Sequence, residues 1–333
     1  MFPLLFYVIG GDYADPQTER LKHDVKRLKK KGWASSTSET YKTHLQTFLS
    51  FCKAHKLASV PADIETVEMY VAYLVDVKKF KFSSIKSYLN IISVLHKSEN
   101  LPDPTKTWHV KHVLTGVKRE ISTAQSCKSP VTPRLLLEIH DILDFTCKDN
   151  CVFWAACLVG FFGFLRPNNF LVKGVFDPSR HVQCLDLLSH PWGMLLSLKV
   201  VKTMQFRAVP IEIVLPRLQQ GHPLCLCAPL QQLLVRPDLT QPLFLLSSGK
   251  CLSYSGFLKA FRLVLSQLGY YAASYGGHSL RRGAATWASS CGVADDDIQL
   301  LGLWSSDCYK RYIETDKSKR INAMNLFCLP LPR

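Results

Sequence analysis

The sequence predicts a mainly α-helical protein with a small β-sheet, divided into a helical first domain and a larger α+β second domain. Three observations carry that expectation. Between residues 35 and 120, four stretches place apolar side chains three and four positions apart, the period of amphipathic helices. A polar, aperiodic stretch at 121–130 then breaks the pattern and reads as a linker. Further on, residues 192–214 alternate and are rich in β-branched side chains, the signature of paired strands.

The chain has 333 residues, 47% of them hydrophobic, with a formal net charge of +15. That length and hydrophobic content suffice for two cores and exclude wholesale disorder. The positive charge predicts a polyanionic partner, of which nucleic acid is the simplest. No stretch reads as a membrane span: the opening MFPLLFYVIGG is too short, and the apolar run from Cys151 to Leu165 suits a buried core helix. Twelve cysteines lie scattered without disulfide-framework spacing, and no secretory signal precedes them, so a reducing, intracellular setting is expected. Cys225-Leu226-Cys227 is too tight for a zinc knuckle and has no matching Cys/His pair nearby; the cysteines read as structural, with no metal site.

Residues 1–34 form a basic arm, flexible or loosely helical, with Lys22, Lys26, Arg27, Lys29, Lys30 and Lys31 crowded together. The run is either a solvated face or a contact to a nucleic-acid backbone, which asks for little beyond positive charge. Residues 35–120 hold the four-helix domain. Ser36-x-x-Glu39 reads as a capping box opening the first helix, with Tyr41, Leu45, Phe48, Leu49 and Cys52 inward. A second helix runs from about Asp63 to Val77, with Val67, Val71, Leu74 and Val75 inward. FSSIKSYLNIISVLHK gives a third, with Ile85, Leu89, Ile92 and Leu95 on one face, and TWHVKHVLTGVKRE gives a fourth. Their exposed faces carry Lys78, Lys79, Lys81, Lys86, Lys97, Lys111, Lys118 and Arg119, a density suited to gripping phosphates.

The second domain spans 131–333. Thr132-Pro133 reads as N-cap and first helical residue, with Leu136, Ile139 and Leu143 inward. CVFWAACLVGFFGFL is apolar nearly all round and should centre the core. Arg166 follows it directly, where a cation must either reach solvent or meet an anion. The alternating stretch predicts two strands around a turn near Thr203 to Phe206, and PLCLCAPLQQLLVRP leads into a helix. PLFLLSSGKCLSYSGFLKAFRLVLSQLG adds a strand, a turn and an amphipathic helix.

From Gly277 to Tyr312 the chain reads as three short helices. His278 and Arg281 share a face of the first turn, pairing a proton-transfer group with a fixed cation. Leu280, Ala284, Trp287, Ala288 and Cys291 supply the buried stripe, and Gly292 the stop. A second helix fits Asp295 to Gly302, with Ile298, Leu300 and Leu301 as core candidates. The third begins near Ser305 to Asp307 and carries Tyr309 and Tyr312.

His278-x-x-Arg281, then Leu300-Leu301-Gly302, then Tyr312 ten residues after that glycine resembles the second catalytic box of the tyrosine recombinases, the phage-integrase family. GFFGFLRPNNF resembles the family's first box, with Arg166 on its arginine. GLWSSDCYKRYI looks closest to recombinases of eukaryotic mobile elements of the DIRS-like and Crypton-like kinds. The resemblance implies a tyrosine-recombinase catalytic domain for 131–333 and, by layout, a core-binding (SAM-like) bundle for 35–120.

It further implies that double-stranded DNA is the partner, cut and rejoined by a nuclear enzyme through a 3′-phosphotyrosine, without cofactor and on a homotetramer. Tyr312 would be the nucleophile, Arg166 and Arg281 the phosphate grip, His278 a proton acceptor or a hydrogen-bond partner of the phosphate, and Lys202, in the KTMQF context, the acid. Lys199 rivals Lys202, and Tyr309 is a fallback for Tyr312. Lys29, Lys30, Lys31, Lys79, Lys81, Lys86, Lys111 and Arg282 are the expected DNA contacts. Two positions depart from the family. Asn169 stands where many relatives carry an acid, and Leu303, nine residues before Tyr312, stands where His or Trp is usual. Trp304 is the neighbour whose indole N–H could fill that gap. The departures leave a second reading open, a domesticated DNA-binding descendant with weakened catalysis.

Overall fold

In the computed structural model, residues 16–121, 128–199 and 210–311 are described. The chain separates into two compact units, Met1–Gln125 and Ser126–Arg333. The opening MFPLLFYVIGG, most of the 121–130 stretch, the expected turn at Thr203 to Phe206 and the tail beyond Arg311 lie outside the described residues.

The first unit is all helical: α1 Pro16–Lys31, α2 Ser35–His55, α3 Ile64–Asp76, α4 Phe82–Ser98 and α5 Trp108–Glu120. Within the basic arm Pro16–Lys31 is a regular helix that buries none of its residues. Two N-caps explain where helices start. Asp63 accepts the amide N–H of Thr66 at 2.7 Å, opening α3, and Thr107 accepts that of Val110, opening α5. The expected capping box at Ser36 does not form: the N-cap of α2 is Ala34, two residues earlier, and it has no side-chain cap. Phe48, Val67, Tyr70, Val71, Leu74, Ile85 and Ile92 are fully buried. Leu49 is exposed, while His44 and Phe51 are buried instead, because the stripe of α2 continues through 44, 48, 51 and 52 at helical spacing. All eight basic residues expected on the outer faces of this bundle are exposed.

In the second unit, α6 Pro133–Ile142 begins as its sequence predicts. Thr132 accepts the amide of Leu135 at 3.1 Å, with Pro133 at the first helical position. Next comes α7 Lys148–Phe162, buried continuously from Cys151 to Phe161. The sheet has three antiparallel strands in the order β1-β2-β3: β1 Leu187–His190, β2 Gly193–Leu198 and β3 Ile211–Pro216. The pair β2 and β3 is the expected hairpin, in register from Gly193↔Pro216 to Leu198↔Ile211. Sequence reading missed β1, four residues too short to show a period. The strand expected near Leu245 is an isolated bridge to Cys251. The remaining helices are α8 Cys227–Leu233, α9 Tyr254–Gln267, α10 Ser279–Ser290 and α11 Asp295–Leu301, followed by a 3-10 turn at Asp307–Arg311.

Glycines set how closely α10 approaches its neighbours. A Cβ on Gly283 would lie 1.8 Å from the carbonyl oxygen of Val131, and one on Gly160 of α7 would lie 2.8 Å from a methyl of Leu280. The amide of Val131 also donates to Ser279 O at 3.0 Å, so the strand-like entry to α6 is sewn to the first turn of α10. Trp287, expected in the stripe of α10, is 50% exposed, and Leu300 and Leu301 are exposed on α11, where Ile298 alone is buried. A seven-residue helix presents one turn to the core, too little for three inward positions.

Gly283→Ala should therefore destabilise the second unit by roughly 3 kcal/mol, a drop of about 6–12 °C in its melting transition. On α5, Gly116 has nothing within 4 Å of an added Cβ, so Gly116→Ala should stabilise the first unit by about 0.5–1 kcal/mol through helix propensity. Calorimetry on the two variants reads both signs.

Candidate active site

The site is assembled at the end of α7. After the cap at Gly163 the chain turns sharply, with Phe164 in the left-handed region at φ 50° and the amide of Leu165 returning to Gly160 O at 3.1 Å. The backbone then extends through Arg166. Asn169 clamps that residue twice: its Oδ1 accepts the Arg166 amide at 3.2 Å, and its own amide donates to Arg166 O at 2.8 Å. The amide side chain that departs from the family's acid thus fixes the backbone from which Arg166 projects. Pro167 at the first position of the turn stiffens it further.

Arg281, in the first turn of α10, is 2% exposed. One terminal nitrogen donates to Phe164 O, just past the end of α7, and the other to Gly302 O, the C-cap of α11, at 2.6 Å. Helix C-termini present unsatisfied carbonyls and partial negative charge, so they suit a buried cation. The guanidinium carbon lies 3.9 Å from the ring centroid of Trp304, a stack worth up to about 2 kcal/mol when desolvated. Trp304 is itself buried, edge-on to Phe164 and 5.7 Å from the ring of Tyr309. Leu303 takes φ 53° to turn it there. Gly302 is required at the approach, since a Cβ would lie 1.6 Å from the Trp304 ring.

His278 is the N-cap residue of α10 and is exposed at the mouth of the site. Desolvation by the surrounding protein, then the charges of Arg166 and Arg281, hold its pKa below the ordinary 6.5. Arg281 bonds to Phe164 O, two residues before Arg166, and His278 stands one turn before Arg281, so residues distant in sequence are gathered at the end of α7. Arg282 is half-buried beside them, its amide on His278 O at 2.9 Å.

Two of the alternatives resolve differently. Lys199 is bound into the scaffold, its Nζ 2.8 Å from Asp186 and 2.6 Å from Gln183 Oε1, and so is committed elsewhere. Tyr309 is 1% exposed, and its phenol is pushed above its ordinary pKa by burial and then by Asp295. A buried phenol that resists ionisation is a poor nucleophile. Lys202 and Tyr312 lie outside the described residues. Sequence reading missed the roles of Phe164 and Gly302, whose carbonyls hold Arg281; backbone acceptors leave no trace in side-chain identity. Among the described residues no cluster of three or more His, Cys, Asp or Glu could hold a metal ion, and no helix is long and apolar enough to cross a membrane.

No model of a known protein family matches the sequence. Over 325 residues the chain is 26% identical to an integrase/recombinase xerD homolog of Selenomonas ruminantium, covering 92% of this chain and 89% of that relative. Among solved structures, it is similar to XerH site-specific recombinase bound to palindromic difH substrate in a post-cleavage complex. That match has TM-score 0.61 and 15% identity, over 87% of this chain and 79% of that one. It is also similar to the Tn1549 transposon integrase in complex with circular intermediate DNA, at TM-score 0.57 and 12% identity, over 90% and 97% of the two chains. A lambda integrase dimer bound to a COC′ core site matches at TM-score 0.53 and 15% identity, over 92% and 83%. The fold is that of the tyrosine-recombinase catalytic domain carried with a helical bundle. Along nearly its full length the sequence is also similar to that integrase/recombinase relative.

The geometry around His278 makes a titration prediction. Its NMR midpoint should fall below 6.5, and Arg166→Gln should raise it by removing a nearby cation. The unfolded chain binds this proton more readily than the folded one. Stability from this group is therefore full above about 6.5 and is lost as pH falls toward the depressed folded midpoint.

Proposed function

We propose that this chain cuts and rejoins double-stranded DNA through a covalent 3′-phosphotyrosine, with Tyr312 as nucleophile. The observation that carries the proposal is the bond from Arg281 to Phe164 O, which brings the first turn of α10, with His278 at its cap, to the segment that carries Arg166, three residues that match the family's motifs in order. Arg166 and Arg281 bind the nonbridging oxygens of the scissile phosphodiester and stabilise the charge that grows on them in the pentacoordinate transition state. Carbonyl dipoles hold the Arg281 cation without cancelling its charge, so it remains attractive to an anion.

The Tyr312 oxygen forms a bond to phosphorus as the bond to the 5′ oxygen breaks, and Lys202 delivers the proton that the leaving oxygen needs. His278 accepts the phenolic proton. Desolvation, and after it the two arginines, favour the neutral imidazole, the form that can accept. An arriving phosphate anion offsets those cations and raises the proton affinity of the ring at the moment of use. A 5′-hydroxyl from another strand reverses the sequence and restores the phenol. Each charge in this scheme is met by a side chain, and no cofactor is drawn upon.

In this reading residues 35–120 are the core-binding bundle, 131–333 the catalytic domain, 1–34 a basic arm and 121–130 the linker between them. Exposed Lys79, Lys81, Lys86 and Lys111, with Lys29, Lys30 and Lys31 of α1, grip the duplex backbone, and Arg282 adds a contact near the site. The GLWSSDCYKRYI phrase supports descent from a eukaryotic mobile element of the DIRS-like or Crypton-like kind, with the nucleus as its place of work and a tetramer on DNA as its working assembly. A second reading, a DNA-binding descendant with weakened catalysis, draws on the burial of Arg281, which is 2% exposed with both terminal nitrogens on backbone carbonyls.

A nicked suicide duplex decides between them. The intact chain and Tyr309→Phe should form a covalent protein–DNA adduct and Tyr312→Phe should form none; binding without any adduct selects the second reading. Lys81→Ala with Lys86→Ala should lower the slope of log affinity against log salt by about 0.9 for each phosphate that is no longer neutralised, as read by titrations at several salt concentrations.

A further inference from the structure

The family pattern asks for a hydrogen-bonding side chain nine residues before Tyr312, and Leu303 stands there. Trp304, next in sequence, is drawn into the site but presents its ring face, 3.9 Å from the Arg281 guanidinium. We propose that Trp304 is a positioning residue that serves the phosphate site through the π-face it stacks on Arg281, rather than through its indole N–H.

Four observations support this. Trp304 is 5% exposed, so its ring is packed into the interior against Arg281, Phe164 and Tyr309. Its backbone is pinned on both sides, the amide on Gln299 O at 3.0 Å and the carbonyl accepting Gln299 Nε2 at 3.1 Å, so the ring is not poised to swing. The residue before the tryptophan is held at φ 53°, and the glycine before that has no room for a side chain against the ring. Finally, the two carbonyls that hold Arg281 fix two of its nitrogens but still allow the plane to tilt about the line joining them. A ring stacked on that plane opposes the tilt. A guanidinium held in one orientation is aimed where an anion arrives, and such preorganisation lowers the cost of reaching the charged transition state.

The inference rests on the reading of Arg281 as a phosphate ligand, and the test separates the two. Trp304 is replaced in the full chain by 7-fluorotryptophan, whose fluorine sits on Cζ2 rather than on the three ring atoms that most closely crowd Gly302. Fluorine withdraws π density, which weakens a cation–π stack, and acidifies Nε1–H, which strengthens a hydrogen bond from it. Adduct formation should slow about two- to threefold with DNA affinity unchanged. Trp304→Leu, which fills space without a π-face, should slow it roughly 30-fold, and Trp304→Phe should fall between. A fluorinated protein as fast as or faster than the parent, or Phe no better than Leu, overturns the proposal. If even the parent forms no adduct, strand transfer fails as the function, and the His278 titration still tests the stack. Its midpoint should move up in the Leu variant, as the loosened guanidinium draws away, and stay near the parent value in the Phe variant; equal midpoints in all three would refute the coupling.

Discussion

A buried guanidinium bonded to the carbonyl ends of two helices is the constraint around which the second unit closes. Arg281 ties the turn after α7, through Phe164 O, to the cap of α11, through Gly302 O. Those segments are far apart in sequence, and neither carries a side chain that would mark it as a ligand. Burying a charge costs several kcal/mol unless the interior supplies polar partners, and here the partners are groups that every helix end must satisfy in any case. One residue therefore meets two obligations: the helix termini gain donors and the cation gains acceptors.

The same economy governs what surrounds it. The α7 helix is buried nearly all round, so its end is a fixed point, and the left-handed Phe164 converts that rigidity into an aimed carbonyl. Asn169 then holds the half-buried Arg166 by its backbone, leaving the guanidinium to be placed by the chain alone. A carboxylate at 169 could accept the same amide, but it would add a negative charge that competes for the Arg166 cation. The amide supplies the clamp without that competition. Gly160 and Gly283 let α10 approach α7 and the entry to α6 closely enough for His278, Arg166 and Arg281 to share one field.

Much of this was legible in the sequence, for identifiable reasons. Periods of three and four residues gave the helices of the first unit, because each buries one stripe; Thr132-Pro133, Asp63 and Gly292 marked ends with local chemistry that needs no tertiary context. Arg166, His278 and Arg281 were visible as an ordered pattern, and Arg281 bonds to the segment that leads into Arg166. What escaped is what depends on partners distant in the chain. The strand β1 has four residues and gains its identity only by pairing with β2. Trp287 looked inward by spacing and faces out, and Leu300 and Leu301 share a helix too short to bury more than Ile298. Lys199 looked like a reactive lysine and is spent on Asp186 and Gln183, an ion pair that spans elements with no common motif. The orientation of the Trp304 ring follows from a left-handed leucine and a crowded glycine, neither of which announces itself in a pattern of residue types.

The cations of the two units differ in kind. The lysines on the helical bundle are exposed on flexible stems, where mobile ions within a Debye length of about 8 Å at physiological salt screen them. Their contribution is affinity, and it is adjustable by ionic strength. Arg281 is buried against two carbonyls and an aromatic ring, where the effective dielectric is lower than at the surface. Its field on its surroundings is therefore screened less by salt than that of the surface lysines.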